Sequence, residues 1–149
     1  MKTRPLMMKN EARIGDFTVA GQPTDGELAG LKSQGYGTVV NVRPPQELDE
    51  PEGPKVEGDG LRYVEVGFTA ATLRPEHISQ IKSAMAGLPG EVLIHCAGGT
   101  RAAVPAAIFT AEREGGDADE AIRLAENAGF EIAGTPYERV IREYFAKKG

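Results

Sequence analysis

Strand-like runs alternate with helix-like segments along most of this chain, and that alternation limits the fold more than any other feature. Residues 38–42 (Thr-Val-Val-Asn-Val) are β-branched and nearly continuous, as a strand buried on both faces should be. Residues 91–95 (Glu-Val-Leu-Ile-His) make another core strand, and 62–66 and 17–20 read as further short strands. Helical signals fill the gaps. Thr24 and Glu27 have the spacing of a capping box, Leu28 and Leu31 give that helix an apolar side, and Gly35 can end it. Pro75 fits a first helical turn, and Ile78, Ile81, Met85 and Leu88 recur near helical spacing. A helix is expected over about 101–114, with Pro105 near its first turn, where a missing N–H matters least. Asp117 opens another, carrying Ala121, Leu124 and Ala128. The last runs from Pro136 to about Lys147, with Tyr137, Val140, Ile141, Tyr144 and Phe145 on one face. Such an order implies an α/β layer fold with a mainly parallel sheet.

The 149 residues suit one domain. Residues 1–13, which mix Lys2, Arg4, Lys9 and Glu11 with a few apolar residues, are expected to form a loose N-terminal arm, and 14–149 the single domain. Residues 46–60 are acidic and rich in Pro and Gly, the composition of a surface loop. The net charge of -5 argues against general nucleic-acid binding, although one local pocket can still attract an anion. A single cysteine excludes an intramolecular disulfide and points to the cytoplasm. No signal-peptide core is visible. The best apolar run, 102–111, is broken by Pro105 and Thr110, so no membrane association is expected. Nothing suggests a metal or another cofactor, and oligomeric state has no signature.

The chemistry is concentrated in 92–101, Val-Leu-Ile-His-Cys-Ala-Gly-Gly-Thr-Arg. A strand delivers Cys96 to the C-terminal edge of the sheet, where α/β proteins bind ligands. Gly98 and Gly99 let the backbone fold tightly, so that successive N–H groups can turn inward as an anion nest. The next helix contributes its partial positive end, and Arg101 a planar charged fork. Such surroundings favour a thiolate, which a free cysteine forms only near pH 8.5, at about its ordinary titration point. Cys96 can then attack the centre of a bound oxyanion. Against this stands the ordinary role of cysteine as a small buried apolar side chain. The Gly-Gly turn and the arginine at the helix start favour anion chemistry.

His95-Cys96, four residues and Arg101 after an apolar strand resemble the signature of cysteine-dependent phosphatases and of rhodanese-type enzymes. The longer pattern runs from Val19-Ala20-Gly21-Gln22-Pro23 through Thr38-Val39-Val40-Asn41-Val42-Arg43-Pro44 to the Cys96 loop. It is similar to the phosphatase-like domain often fused to β-lactamase-fold hydrolases, the beta-lactamase-hydrolase-like family. The likeness covers roughly residues 14–129. It implies a three-layer, dual-specificity-phosphatase-like fold, with a central, mostly parallel sheet flanked by helices. It implies Cys96 as the nucleophile, and Ala97, Gly98, Gly99, Thr100 and Arg101 as the anion-binding loop. It places Gln22 and Arg43 near the mouth of the site and gives His95 a structural hydrogen-bonding role; Thr69, in the 67–73 loop, is a candidate for the rim. The implied partner is a small anionic substrate or a phosphoprotein, with functional pairing to a β-lactamase-fold hydrolase.

Three departures qualify the likeness. Four residues separate Cys96 from Arg101, the rhodanese length, where tyrosine and dual-specificity phosphatases have five. Ala102 stands where those enzymes usually place a hydroxyl that helps the thiolate leave. The stretch 67–73, Gly-Phe-Thr-Ala-Ala-Thr-Leu, lacks the aspartate that would protonate a leaving alkoxide, leaving Glu65 and Glu76 as flanking carboxylates. The resemblance and the anion nest place a phosphatase-like hydrolase first; the short loop and the missing acid favour a sulfurtransferase working through a Cys96 persulfide, ranked second, and a non-catalytic anion sensor ranks third.

Overall fold

The computed structural model describes residues 7–148, the Lys148 side chain excepted. Five strands form one sheet: β1 (Ala12–Ile14), β2 (Phe17–Ala20), β3 (Tyr36–Asn41), β4 (Arg62–Glu65) and β5 (Glu91–His95), in the order β1-β2-β5-β3-β4. β5 lies at the centre, parallel to β2 on one side and to β3 on the other, and β4 continues the parallel set. β1 alone runs antiparallel, paired with β2. The expected α/β architecture with a mostly parallel central sheet is present.

Side chains alternate across a strand, so each buried strand feeds two cores. Val19, Val40 and Ile94 enter the larger core. It is closed by α3 (Pro75–Met85), α4 (Thr100–Arg113), α5 (Ala118–Asn127) and α6 (Pro136–Lys148). Val39 and Leu93 enter the smaller one with Leu28, Leu31 and Val56, beneath α1 (Asp25–Gly30) and α2 (Gly53–Gly58). Two covered faces explain why consecutive residues at 39–40 and 92–94 are apolar on both sides of their strands. The Thr24–Glu27 capping box is complete, and Asp117 caps α5 through the Glu120 N–H.

Three expectations change. The arm is not loose where it is described: Met8 is buried, Lys9 accepts a hydrogen bond from the Gly21 N–H at 2.7 Å, and Ala12 and Arg13 belong to β1. The unpaired edge of β2 takes up this segment; residues 1–6 lie outside the described residues. The stretch 46–60 is not only loop: it contains α2 and the end of a 3-10 turn over Pro45–Glu47. Val56 is buried against the smaller core, which makes this polar segment fold back. Pro105 lies past the first turn of α4, because that helix begins at Thr100. Among the described residues, no helix is long and apolar enough to cross a membrane.

Candidate active site

β5 ends at His95, and the chain turns at once into the loop that starts α4. Cys96 is 1% exposed, its N–H tied to the Ala20 carbonyl at 3.2 Å. The sulfur accepts the Gly99 N–H at 3.0 Å. Gly99 stands at φ 111°, where a side chain would be strained, and a Cβ there would lie 2.8 Å from the Phe130 ring. No side chain caps α4. The N–H groups of Ala97, Gly98, Thr100 and Arg101 have no recorded acceptor among the described residues. An uncapped helix start with spare N–H donors beside a sulfur has the donors that an anion would need.

Arg101 is fixed by its outer edge. Nη1 and Nη2 donate to the two carboxylate oxygens of Glu47 at 2.9 and 3.0 Å, and Nη1 also donates to the Phe68 carbonyl at 3.0 Å. Nε and the remaining Nη2 hydrogen have no recorded partner among the described residues. Together they form the second, side-on fork of a guanidinium. Glu47 is itself held by Arg43, through Nε at 3.2 Å and through Nη2 to the Glu47 carbonyl at 2.9 Å. The hydrogen bond from Arg101 leads in lowering the Glu47 carboxyl below its ordinary range, outweighing the opposing effect of burial, with Arg43 adding to it. Burial lowers Arg101, yet the Glu47 hydrogen bond and the charges of Cys96 and Glu47 carry it upward on balance.

The network continues behind the loop. Arg43 Nη1 donates to Gln22 Oε1 at 2.8 Å, and Gln22 Nε2 donates to Glu52 Oε1 at 2.7 Å. Glu52 Oε2 lies 2.6 Å from His95 Nε2, while His95 Nδ1 lies 3.3 Å from the Cys96 carbonyl. The Gln22 N–H also donates to the Ala97 carbonyl at 3.1 Å. Burial raises the Glu52 carboxyl, but His95, then Gln22 and Arg43, offset this and leave it lowered. A single chain of polar contacts thus joins the residue before Cys96 to the arginine at the other end of the loop.

The structure brings Cys96, Ala97, Gly98, Gly99, Thr100 and Arg101 together in one turn and places His95, Gln22 and Arg43 against it. The last two are committed to the supporting network rather than left free at a mouth. Thr69 follows the carbonyl that holds Arg101, and its hydroxyl is 3.2 Å from that of Thr72 in the same turn. Neither flanking carboxylate faces the sulfur as a spare acid: Glu65 accepts from Tyr63 Oη at 2.8 Å, and Glu76 pairs with Lys147 at 3.2 Å. Sequence reasoning missed Glu47, Glu52 and Tyr137. Glu47 had a signal in its i,i+4 spacing from Arg43. Glu52 looked like one more acid in a polar stretch. Tyr137 lies on the apolar side of α6, where sequence marks it as a core side chain. Burial leads in raising its phenol; Arg101 opposes this, while the charges of Cys96 and Glu47 add to it, so the ring lies within electrostatic reach of the loop.

Known proteins share this fold. A beta-lactamase hydrolase-like protein of Xylella fastidiosa (strain Temecula1) is 29% identical over 123 residues, which cover 78% of this chain and 28% of that protein. The chain thus spans less than a third of that relative's length. A DUF442 protein of Shewanella putrefaciens CN-32 superposes with a TM-score of 0.79 at 22% identity, covering 95% of this chain and 92% of its own. Tk-PTP in its active form gives a TM-score of 0.79 at 20% identity over 95% of this chain and 99% of its own. These likenesses establish a phosphatase-type α/β fold. The family model for the phosphatase-like domain of beta-lactamase hydrolase-like proteins matches residues 12–113, and the chain belongs to that family.

Proposed function

We propose that the protein is a cysteine-dependent, phosphatase-like hydrolase that cleaves a phosphate ester at the Cys96 loop. The observation that carries this reading is the pairing of a sulfur that accepts the Gly99 N–H with an Arg101 whose outer edge is fixed and whose Nε/Nη2 fork is uncommitted. A phosphoryl oxygen pair fits that fork, and the spare loop N–H groups can receive the third oxygen. The thiolate attacks phosphorus, the phosphorus–oxygen ester bond breaks, and the leaving oxygen departs with the electron pair. Water then attacks the cysteinyl phosphate, and the sulfur leaves as thiolate with release of inorganic phosphate.

Among the described residues, the carboxylates flanking the 67–73 loop are engaged elsewhere, Glu65 with Tyr63 and Glu76 with Lys147. Glu47 is held ionised between two arginines, and Thr69 and Thr72 carry only hydroxyls. The rate should therefore depend steeply on the leaving group, with aryl phosphates hydrolysed and alkyl phosphates nearly inert. The four-residue spacing of Cys96 and Arg101 supports a second reading, sulfur transfer through a Cys96 persulfide. One reduced sample, assayed for aryl and alkyl phosphate hydrolysis and for thiosulfate-to-cyanide sulfur transfer with Cys96→Ser as control, separates the two. Phosphate release abolished by the substitution supports the hydrolase; a one-sulfur mass increase on Cys96 without phosphate release supports sulfur transfer. Equal rates on aryl and alkyl phosphates would refute the account of the missing acid. The substrate class is a small phosphate ester or phosphoprotein, and the names of the relatives support pairing with a β-lactamase-fold hydrolase. The lone cysteine fits a reducing compartment such as the cytoplasm.

A further inference from the structure

We propose that Asn10 is a positioning residue for the Cys96 loop, holding the Gly98–Gly99 peptide so that its N–H meets the sulfur. The inference rests on the reading of Cys96 as a nucleophile. Asn10 Nδ2 donates to the Gly98 carbonyl at 2.8 Å. The Gly99 N–H, in the same peptide unit, donates to Cys96 Sγ at 3.0 Å. A trans peptide is planar, with its C=O and N–H pointing in opposite directions. Fixing the oxygen from outside therefore aims the hydrogen inward.

This peptide needs an external hold. Two glycines flank it, and glycine offers little resistance to rotation. A Cβ at Gly98 would meet nothing within 4 Å, so no neighbour restrains that side of the loop. A flipped peptide would turn a carbonyl oxygen toward the sulfur, and like partial charges would oppose both thiolate and anion. Asn10 is built for the contact. It has a φ of 51°, the only positive value at a non-glycine residue among those described. Asparagine is one of the few side-chain-bearing residues that tolerate that region. Its own segment is fastened on both sides: the Glu11 N–H donates to the Met8 carbonyl at 3.1 Å, and the Gly21 N–H to the Lys9 carbonyl at 2.7 Å. Met8 is buried in the smaller core. The N-terminal segment is thus a clasp that ends on the loop.

The test uses the full chain with Asn10→Gly, which keeps the backbone freedom but loses the amide, and Asn10→Asp, which keeps the shape but puts a carboxylate against the carbonyl. Arg101 on α4 and Tyr137 on α6, the groups electrostatically coupled to the sulfur, stay in place in both. Iodoacetamide alkylation of Cys96 is followed against pH, with and without inorganic phosphate, beside urea unfolding. Both variants should need a pH higher by about one unit for the same alkylation rate, the size expected for losing a hydrogen bond to a charged group. Phosphate should protect them roughly tenfold less well, by the same reasoning, while the urea midpoint stays close to wild type. Variants that keep the wild-type pH profile and protection would overturn the proposal, as would a lowered urea midpoint without a change in profile. A wild-type protein with no alkylation below about pH 8.5 and no phosphate protection would instead defeat the nucleophile reading itself.

Discussion

Glu52→Ala removes the carboxylate that links the back of the Cys96 loop to the Gln22–Arg43 arm. The Glu52 side chain is 6% exposed and its partner His95 is fully enclosed. The substitution deletes the contacts at 2.6 Å to His95 Nε2 and 2.7 Å to Gln22 Nε2, leaving His95 Nε2 without its partner and Gln22 Nε2 with only the Pro23 carbonyl at 3.2 Å. Removing one member of a buried pair costs about 3–5 kcal/mol. A domain of this kind has about 5–15 kcal/mol in total. At about 2–4 °C per kcal/mol, Tm should fall by roughly 6–20 °C. Urea unfolding should show a lower midpoint with an unchanged slope, since the buried surface hardly differs. Glu52→Gln retains one acceptor for His95 but sets its amide against that of Gln22, so about 1–3 kcal/mol is expected. Anion protection of Cys96 should weaken in both variants, because His95 and Gln22 each touch the loop backbone. If Glu52→Ala unfolded within about 1 kcal/mol of wild type, the carboxylate could not be the brace that this geometry assigns to it.

Arg101→Lys keeps the charge but loses the end-on pairing with Glu47 and the side-on fork, so kcat on an aryl phosphate should drop on the order of 10² to 10³ with the fold intact; full activity would reduce Arg101 to a surface charge. Gly99→Ala forces a side chain into a strained φ and against Phe130, so a loss of about 1–3 kcal/mol in urea unfolding is expected together with faster loss of phosphate protection. Glu47 and Glu52 are both lowered from the ordinary 4.5. A carboxyl lowered on folding stabilises the native state above its unfolded value and loses that contribution as pH falls through the folded one. Tm should therefore decline below about pH 4.5, and less steeply in Glu52→Gln; identical slopes in the two proteins would contradict the network.

Local physical rules made much of the fold legible. Apolar strands, the Thr24–Glu27 box and the Asp117 cap depend on residues within a few positions of one another; both caps and the 91–95 strand are found where the sequence puts them, and the strand expected over 38–42 runs from Tyr36 to Asn41. The Cys96 loop was readable for the same reason, since strand, glycines and arginine are contiguous. What surrounds it was not. Glu52 reaches His95 across 43 positions, Glu47 reaches Arg101 across 54, and Asn10 reaches Gly98 across 88. No periodicity or propensity encodes such pairings. In sequence these residues are ordinary polar side chains, and only burial of Val56 beneath the sheet and pairing of β1 with β2 carry them to the loop. The sequence by itself determined the layers, the strand that presents the cysteine and the spare donors that follow it. The tertiary structure alone decided which carboxylates hold the arginine and which amide aims the Gly99 N–H, because those contacts exist only after distant segments have been packed against one sheet edge.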